Sequence, residues 1–357
     1  MNKIICLKGD GIGPEIMDSA IKVLEEISED FNFQYEMIYE DFGGVSIDKY
    51  GVPFTDDLKE KLKDADAVLL GSIGSPKYDS APIRPEQGLL ALRKYLNLYA
   101  NIRPLKVSDS LVHLSPLKAE IVKGSDLVIV RELSSGIYFG EPRYYSDIEA
   151  YDTMRYNKEE ITRIVDYAFK IAKLRKGKVV SVDKANVLSS SKLFRKIAND
   201  VSKNYPDVTL EHRYVDAMAM ELITKPSTFD VIVTSNLFGD ILSDEASVLG
   251  GSLGLLASAS FSVDGISLYE PAHGSAPDIA NQNIANPIAM IRSMAMMLRY
   301  SFNENKMSDL IDDSIDIILN EGCYTKDLNS ENYLSTTDWT DKLIEKIKEI
   351  KNEYTIW

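Results

Sequence analysis

The stretch Thr234-Ser235-Asn236-Leu237-Phe238-Gly239-Asp240-Ile241-Leu242-Ser243-Asp244-Glu245 decides how the chain is read. It follows Val231-Ile232-Val233, an apolar β-branched run that reads as the end of a buried strand, and leaves it through Asn236 and Gly239. A helix starting just after Gly239 sets Asp240 and Asp244 on one face, within reach of a single ion. Acidic pairs at this spacing also line ordinary solvated helix faces. Here the neighbours Leu237, Phe238, Ile241 and Leu242 are apolar, and the pair stands at the carboxyl end of a strand, where open α/β sheets place their ligands. Two carboxylates one turn apart suit a hard divalent cation, with a third acidic ligand to be sought elsewhere.

Outward from this stretch, other apolar runs also end in polar residues. Leu127 to Val130 leads into Arg131-Glu132, and Val179 to Val182 into Asp183-Lys184. Ile4 to Leu7 reads as a first strand ending in Gly9-Asp10-Gly11-Ile12-Gly13-Pro14-Glu15, after which Ile16, Ala20, Val23, Leu24 and Ile27 recur at helical spacing. A dinucleotide fingerprint needs a glycine three positions after Gly13, where Ile16 stands. That loop is either a close approach of backbone to a ligand or a tight turn.

Tyr35 to Tyr39 and Ala67 to Leu70 are further strands, the second followed by a Gly/Ser/Pro-rich loop as far as Gly88. Leu89, Leu90, Leu92 and Leu96 then open a helix that carries Arg93, and Arg103 follows just before Pro104. Helical periodicity recurs over Ser189 to Val201, Val215 to Ile223, Pro287 to Leu298, Ser308 to Leu319 and Thr340 to Ile350. Gly136 to Tyr156 is rich in aromatics without a helical period, which fits a hairpin arm at a subunit interface or a loop packed on its own domain. No linker interrupts the pattern, so an α/β chain of two domains sharing one sheet is expected.

At 357 residues the chain can bury a large core. Its net charge of −15 argues against nucleic acid or an anionic membrane as the main partner. Cys6 and Cys323 lack metal spacing and fit a reducing compartment; with no signal-peptide pattern and no apolar run of membrane-spanning length, a cytoplasmic protein is expected.

Singly, Arg93, Arg103 and Arg131 read as ion-paired or surface arginines. Converging on one pocket, their guanidinium forks would suit a substrate with two carboxylates. Lys184 could be a strand-end lysine, Asp216 a helix cap and Tyr138 one more arm aromatic. Together they fall within a longer pattern. Gly9-Asp-Gly-Ile-Gly-Pro-Glu15, Gly88-Leu-Leu-Ala-Leu-Arg93, Asn101-Ile-Arg-Pro104, Arg131-Glu-Leu133, Gly136-Ile-Tyr-Phe-Gly140, Asp183-Lys-Ala-Asn-Val187, Ser235 to Asp244 and Glu270-Pro-Ala-His-Gly-Ser-Ala-Pro-Asp278 resemble the metal-dependent β-decarboxylating dehydrogenases, the isocitrate/isopropylmalate dehydrogenase family. The resemblance covers nearly the whole chain, in order. One departure is Ser134-Ser135, where the family commonly has a glycine before Gly136; it bears on local backbone geometry.

The resemblance implies an α/β, two-domain isopropylmalate dehydrogenase-like fold with a shared central sheet. A discontinuous first domain would take residues 1–98 and 254–357, and a second domain 99–253, with a β arm at about 136–156 crossing a homodimer interface. The implied metal ligands for Mg²⁺ or Mn²⁺ are Asp216, Asp240 and Asp244. Lys184 would take the proton of the substrate's 2-hydroxyl and Tyr138 would return one after decarboxylation. Lys184 and Asp216 would come from the partner chain, so that active sites are shared. Arg93, Arg103, Arg131 and Asp216 would bind the substrate, and Leu89 and Leu90 with Val187 of the partner chain would wall its isopropyl group. The implied NAD site runs over His273, Gly274, Ser275, Ala276, Pro277, Asp278, Ile279 and Asn286, with Gly74 and Glu86 opposite. Asp278 would accept the ribose hydroxyls, where NADP-using relatives carry a Lys-Tyr pair at Asp278-Ile279. Isocitrate, homoisocitrate, tartrate and D-malate dehydrogenases of the family differ mainly in the loop before Arg93, where relatives acting on isocitrate place a serine in the stretch held here by Leu89 and Leu90. A non-catalytic subunit of the same fold should have lost a ligand or an acid/base residue, and none of these is missing here.

Overall fold

The computed structural model describes residues 1–109, 111–263 and 265–355. Among them the strands are, in chain order, β1 (Asn2–Gly9), β2 (Tyr35–Glu40), β3 (Ala67–Ser72), β4 (Leu98–Lys106), β5 (Asp126–Glu132), β6 (Tyr144–Tyr145), β7 (Ala150–Tyr151), β8 (Lys178–Asp183), β9 (Thr209–Tyr214), β10 (Val231–Thr234), β11 (Ala257–Ser262) and β12 (Ser267–Pro271). Residues 1–96 with 252–357 form one compact unit and residues 97–251 another.

In the first unit the strand order is β2-β1-β3-β12-β11. All neighbours run parallel except β11, which is antiparallel to β12. Every residue of β3 is buried, as a continuous apolar run covered on both faces must be. The helix Ile288–Phe302 packs on β11 and β12 and is apolar nearly all round, with Met290, Ile291, Met294, Met297 and Leu298 inaccessible to solvent. Cys6 lies in this core, and burial pushes its thiol up to about 12, so it is a packing residue and not a nucleophile.

In the second unit the order is β4-β5-β10-β8-β9, with β5, β10, β8 and β9 parallel and β4 antiparallel to β5. The carboxyl ends of the four parallel strands therefore share one edge. From that edge depart Arg131, the helix Asn236–Ser247, Lys184 and the helix Val215–Thr224. β6 and β7 form a separate hairpin whose Tyr144 and Tyr151 rings stack at 5.7 Å.

Three local readings need correction. The decisive helix begins at Asn236, because Ser235 takes an extended N-cap conformation directly after β10. Gly239 thus lies inside the helix, and Asp240 and Asp244 still share a face. The helix carrying Arg93 is Pro85–Tyr95, not one opened by Leu89: Pro85 occupies its first position and the Gln87 side chain accepts the Arg84 N–H at 3.1 Å, placing Glu86 and Gly88 within it. The stretch holding Arg103 is β4, a buried strand that its sequence disguises with Asn101, Arg103 and Pro104 in place of apolar residues.

Candidate active site

Register puts the charged residues of β4 and β5 together. Asn101 lies opposite Arg131 and Arg103 opposite Ile129, so Asn101, Arg103 and Arg131 share one face, over which the helix Asn236–Ser247 packs. Only 6 % and 2 % of the Arg103 and Arg131 side chains remain exposed, so both guanidinium charges need acidic partners. Arg103 donates to Asp244 Oδ1 at 3.0 Å, to Ser243 Oγ at 2.6 Å and to Asn101 Oδ1 at 3.1 Å, with Asp240 3.5 Å away. Arg131 donates to Asp240 Oδ1 at 2.5 Å and twice to Asn236 Oδ1.

Gly239 makes this crossing possible. A Cβ there would stand 2.7 Å from Arg131 Cγ and 2.8 Å from its Cβ, so only glycine lets the arginine stem pass beneath the helix. Tyr138 completes the cluster, its hydroxyl donating to Asp240 Oδ2 at 2.7 Å and its ring 5.5 Å from the Arg131 guanidinium. Asp240 and Asp244 nevertheless keep 34 % and 58 % of their side chains exposed. Burial raises the Asp244 carboxyl above the usual carboxylate range, with Arg103 opposing and Asp240 adding to the rise.

The turn to Tyr138 is held by a buried carboxylate. Glu132 accepts the N–H groups of Ser134 and Ser135 at 2.9 and 3.0 Å and the Ser134 hydroxyl, while burial pushes its carboxyl up. Ser135 is extended (φ −141°), a conformation open to any residue. The positive φ of +81° falls on Gly136, whose missing Cβ makes room for the Tyr156 hydroxyl. A serine at position 135 therefore costs no backbone strain. Tyr156 itself is buried, outside the regular ladder of the aromatic hairpin, which covers only β6 and β7.

A second cluster in the same unit pairs Lys184 with Asp216 at 2.8 Å, on the neighbouring strand ends of β8 and β9. The Lys184 hydrogen bond holds the Asp216 carboxyl below its usual range. Among the described residues no three His, Cys, Asp or Glu side chains of one chain come together as a metal cage. Asp240 and Asp244 stand side by side, and Asp216 belongs to the Lys184 pair. Val187 is 65 % exposed, high for an apolar side chain.

In the first unit Arg93 donates to Glu270 Oε1 at 2.9 Å, with both side chains about nine-tenths buried. Its Nε is buried without a hydrogen-bond partner. Leu89 and Leu90, partly buried, precede Arg93 at helical spacing on the same side of the helix Pro85–Tyr95. The Gly-Asp-Gly loop is a tight turn whose close approach is to protein: a Cβ on Gly11 would lie 2.0 Å from the Ser275 carbonyl, and Ile12 N–H donates to that carbonyl at 2.8 Å. Asp10 accepts from Gly44 and Gly74 at 2.9 and 3.1 Å, and Glu15 from the backbone of Asn281 and Asn283. The first loop thus braces the 273–286 segment.

That segment walls a cavity of about 410 Å³, shared by Ile12, Leu253, Gly254, His273, Ala276, Ile279, Ile284 and Asp327. His273 Nδ1 donates to the Gly274 carbonyl at 2.9 Å, leaving Nε2 buried and unpartnered; burial lowers the ring's proton affinity, so it is neutral at pH 7. The Asn286 amide is committed at both ends, donating to Asp327 at 3.0 Å and accepting from the Ile288 N–H at 2.9 Å, so its side chain is part of the wall. Ser275 lies beside Gly74 and Glu86, while Gly274, Pro277 and Asp278 are exposed. Sequence reading missed Asp10, Asn236, Glu270 and Asp327. Of these, Asp10, Asn236 and Glu270 lie inside the quoted motifs, where their spacing alone gave a signal.

The family described as isocitrate/isopropylmalate dehydrogenase matches residues 3–343. A 3-isopropylmalate dehydrogenase of Listeria innocua serovar 6a is 57 % identical over 346 residues, 97 % of this chain and 98 % of its own. One of Staphylococcus aureus (strain MRSA252) is 57 % identical over 344 residues, 96 % and 98 % of the two chains. Among solved structures, isocitrate dehydrogenase from Methylococcus capsulatus superposes with a TM-score of 0.88 at 35 % identity, covering 98 % of this chain and 100 % of that one. A beta-decarboxylating dehydrogenase from Thermococcus kodakarensis gives 0.82 at 34 % identity, covering 100 % and 99 %.

Proposed function

Because the chain belongs to the isocitrate/isopropylmalate dehydrogenase family, we propose that it oxidises and decarboxylates 3-isopropylmalate to 4-methyl-2-oxopentanoate, with NAD and Mg²⁺ or Mn²⁺, as a step of leucine biosynthesis in the cytoplasm. The observation that carries this reading is the buried Arg103–Arg131 pair bonded to the partly exposed carboxylates of Asp240 and Asp244, with Tyr138 on Asp240. Two fixed cations beside two acidic ligands suit a substrate that brings carboxylates and a cation together. In the first unit, the buried and unpartnered Nε of Arg93 leaves that guanidinium a donor for an anionic group.

The donor set fits a hard divalent cation, held by Asp240 and Asp244 with Asp216 of the partner subunit. The cavity of about 410 Å³, with its apolar walls and the orphaned His273 Nε2, fits the adenosine half of a dinucleotide. When bound, the cation supplies Lewis-acid polarisation at the substrate's C2 oxygen, and the nicotinamide supplies the hydride acceptor. Lys184 takes the 2-hydroxyl proton, oriented by its contact with Asp216. Tyr138 delivers a proton to the carbon that CO₂ leaves, its hydroxyl aimed by Asp240. Arg103 and Arg131, side by side on the second unit, would hold a substrate carboxylate through both steps.

A homodimer is supported by apolar side chains left uncovered on the second unit. Met220, Ile241 and Val248 are 64 %, 56 % and 49 % exposed on two helices that pack together and the turn that follows, and the hairpin presents Tyr145 and Ile148 at 84 % and 97 %. A second copy covering them would bring Lys184 and Asp216 of the partner subunit to each site.

Cofactor choice follows from Asp278. A carboxylate there accepts both ribose hydroxyls and repels a 2′-phosphate. The kcat/KM for NAD should exceed that for NADP, and Asp278→Lys with Ile279→Tyr should move the ratio toward NADP on the order of 10²-fold. Equal use of NAD and NADP by the unmodified protein would contradict the ribose contact. Formation of NADH with 3-isopropylmalate is the direct test of the function.

A further inference from the structure

We propose that Asn236 is a positioning residue that sets Arg131 and the turn bearing Tyr138 in one register, a role resting on the function proposed above. Asn236 is fully buried. Its Oδ1 accepts from Arg131 Nε at 3.0 Å and from Arg131 Nη2 at 2.8 Å. Its Nδ2 donates to the Ser135 carbonyl at 3.0 Å, and its backbone N–H donates to the Tyr156 hydroxyl at 2.9 Å. From Ser135 the chain enters the turn Gly136–Tyr138; Tyr138 donates to Asp240, and Asp240 accepts from Arg131. These hydrogen bonds, with the chain from Ser135 to Tyr138, close a ring of Asn236, Arg131, Asp240, Tyr138 and Ser135.

The chemistry of this place selects an amide. One buried side chain must offer an oxygen to two guanidinium N–H groups and, from a separate atom, a donor to a carbonyl; the short amide of asparagine does this, whereas a serine or threonine hydroxyl would have to serve both sides from one oxygen. The flipped amide would set NH₂ against the guanidinium and oxygen against the Ser135 carbonyl, so its orientation is determined. Aspartate offers two acceptors, alanine neither function, and glutamine is one methylene too long. Opening the ring at Asn236 frees both the group that holds a substrate carboxylate and the segment that aims the proton donor. Asn236 itself touches no reacting atom.

The test uses the full-length protein and three readouts: kinetics with 3-isopropylmalate, a double-mutant cycle with Tyr138→Phe, and the Nε–Hε NMR signal of Arg131 assigned by Arg131→Lys. Asn236→Ala should raise KM for 3-isopropylmalate about tenfold or more and make the slow-exchanging Arg131 Hε exchange fast. Its loss in kcat should be largely absent in the Tyr138→Phe background, because both changes disable the same step. Asn236→Asp, nearly isosteric, should restore the protected Hε signal without restoring kcat, since it keeps the acceptor for Arg131 but repels the Ser135 carbonyl. An unchanged Hε signal and KM in Asn236→Ala, or losses that multiply with Tyr138→Phe, would overturn the proposal. If Asn236→Ala does not fold, the Asn236→Asp arm decides it on the same readouts. Absence of turnover by the unmodified protein counts against the function alone, and the Hε signal still decides the positioning.

Discussion

Lys184→Ala should lower the rate of hydride transfer from 3-isopropylmalate by roughly 10² to 10⁴, the contribution expected of a positioned general base. The residue stands at the end of β8, its amine 2.8 Å from Asp216 on the next strand end, so its direction is set by sheet register and an ion pair. Its backbone N–H donates to Ser191 Oγ at 3.0 Å, which anchors the turn before the helix Ser189–Ser202. Removing the side chain leaves this backbone intact, so the loss should appear in chemistry and not in folding. Tyr138→Phe should behave differently, with hydride transfer near normal and the steps after it slowed. Single-turnover NADH formation separates the two. Near-normal turnover by either variant as a folded protein would remove that residue from the mechanism.

Metal dependence carries the second large effect. Asp240→Asn and Asp244→Asn should each weaken Mg²⁺ or Mn²⁺ binding roughly 100-fold or more, while NAD binding changes little. Each substitution also takes a carboxylate from a buried arginine, Asp240 from Arg131 and the nearer of two, Asp244, from Arg103, so substrate affinity should fall as well. The pH dependence has a definite sign. Burial raises the Asp244 carboxyl, so this ligand takes up a proton at a higher pH than an ordinary aspartate. Metal affinity, measured by titration calorimetry, should therefore weaken on acidification sooner than exposed aspartates allow. Full activity after exhaustive chelation with EDTA would contradict the metal assignment.

What could be read from sequence was what local pattern encodes. Continuous apolar runs gave β1, β3, β5, β8 and β10, because strands covered on both faces need little else. The helix over Asp240 and Asp244 was legible for the same reason, although its start was not: Gly239 resembled a helix breaker, and the space it leaves for Arg131 exists only in three dimensions. β4 was missed because Asn101, Arg103 and Pro104 break its apolar pattern; burial of Arg103 is tolerable only with Asp244 and Ser243 across from it, 141 and 140 residues away. Asn236 and Glu270 escaped notice because their work is done on Arg131 and Arg93, distant in sequence. The Gly-Asp-Gly loop left two readings open, and only the contact of Gly11 with Ser275 decides between them.

The most direct test of the account is kcat/KM for 3-isopropylmalate and isocitrate, measured side by side on the unmodified protein and on Leu89→Ser. On the proposed reading the arginines would bind carboxylates that both substrates carry, so discrimination would fall to Leu89 and Leu90 with Val187 of the partner subunit. An apolar wall gains only ~1 to 3 kcal/mol from an isopropyl group, and malates with smaller alkyl groups should keep some activity. A third carboxylate unpaired against leucines costs about 3 to 5 kcal/mol, a ratio on the order of 10² to 10⁴ against isocitrate. Leu89→Ser should narrow that ratio while weakening 3-isopropylmalate. Strong preference for 3-isopropylmalate that shrinks in the variant is the expected result; comparable efficiency of the unmodified protein on isocitrate would contradict it.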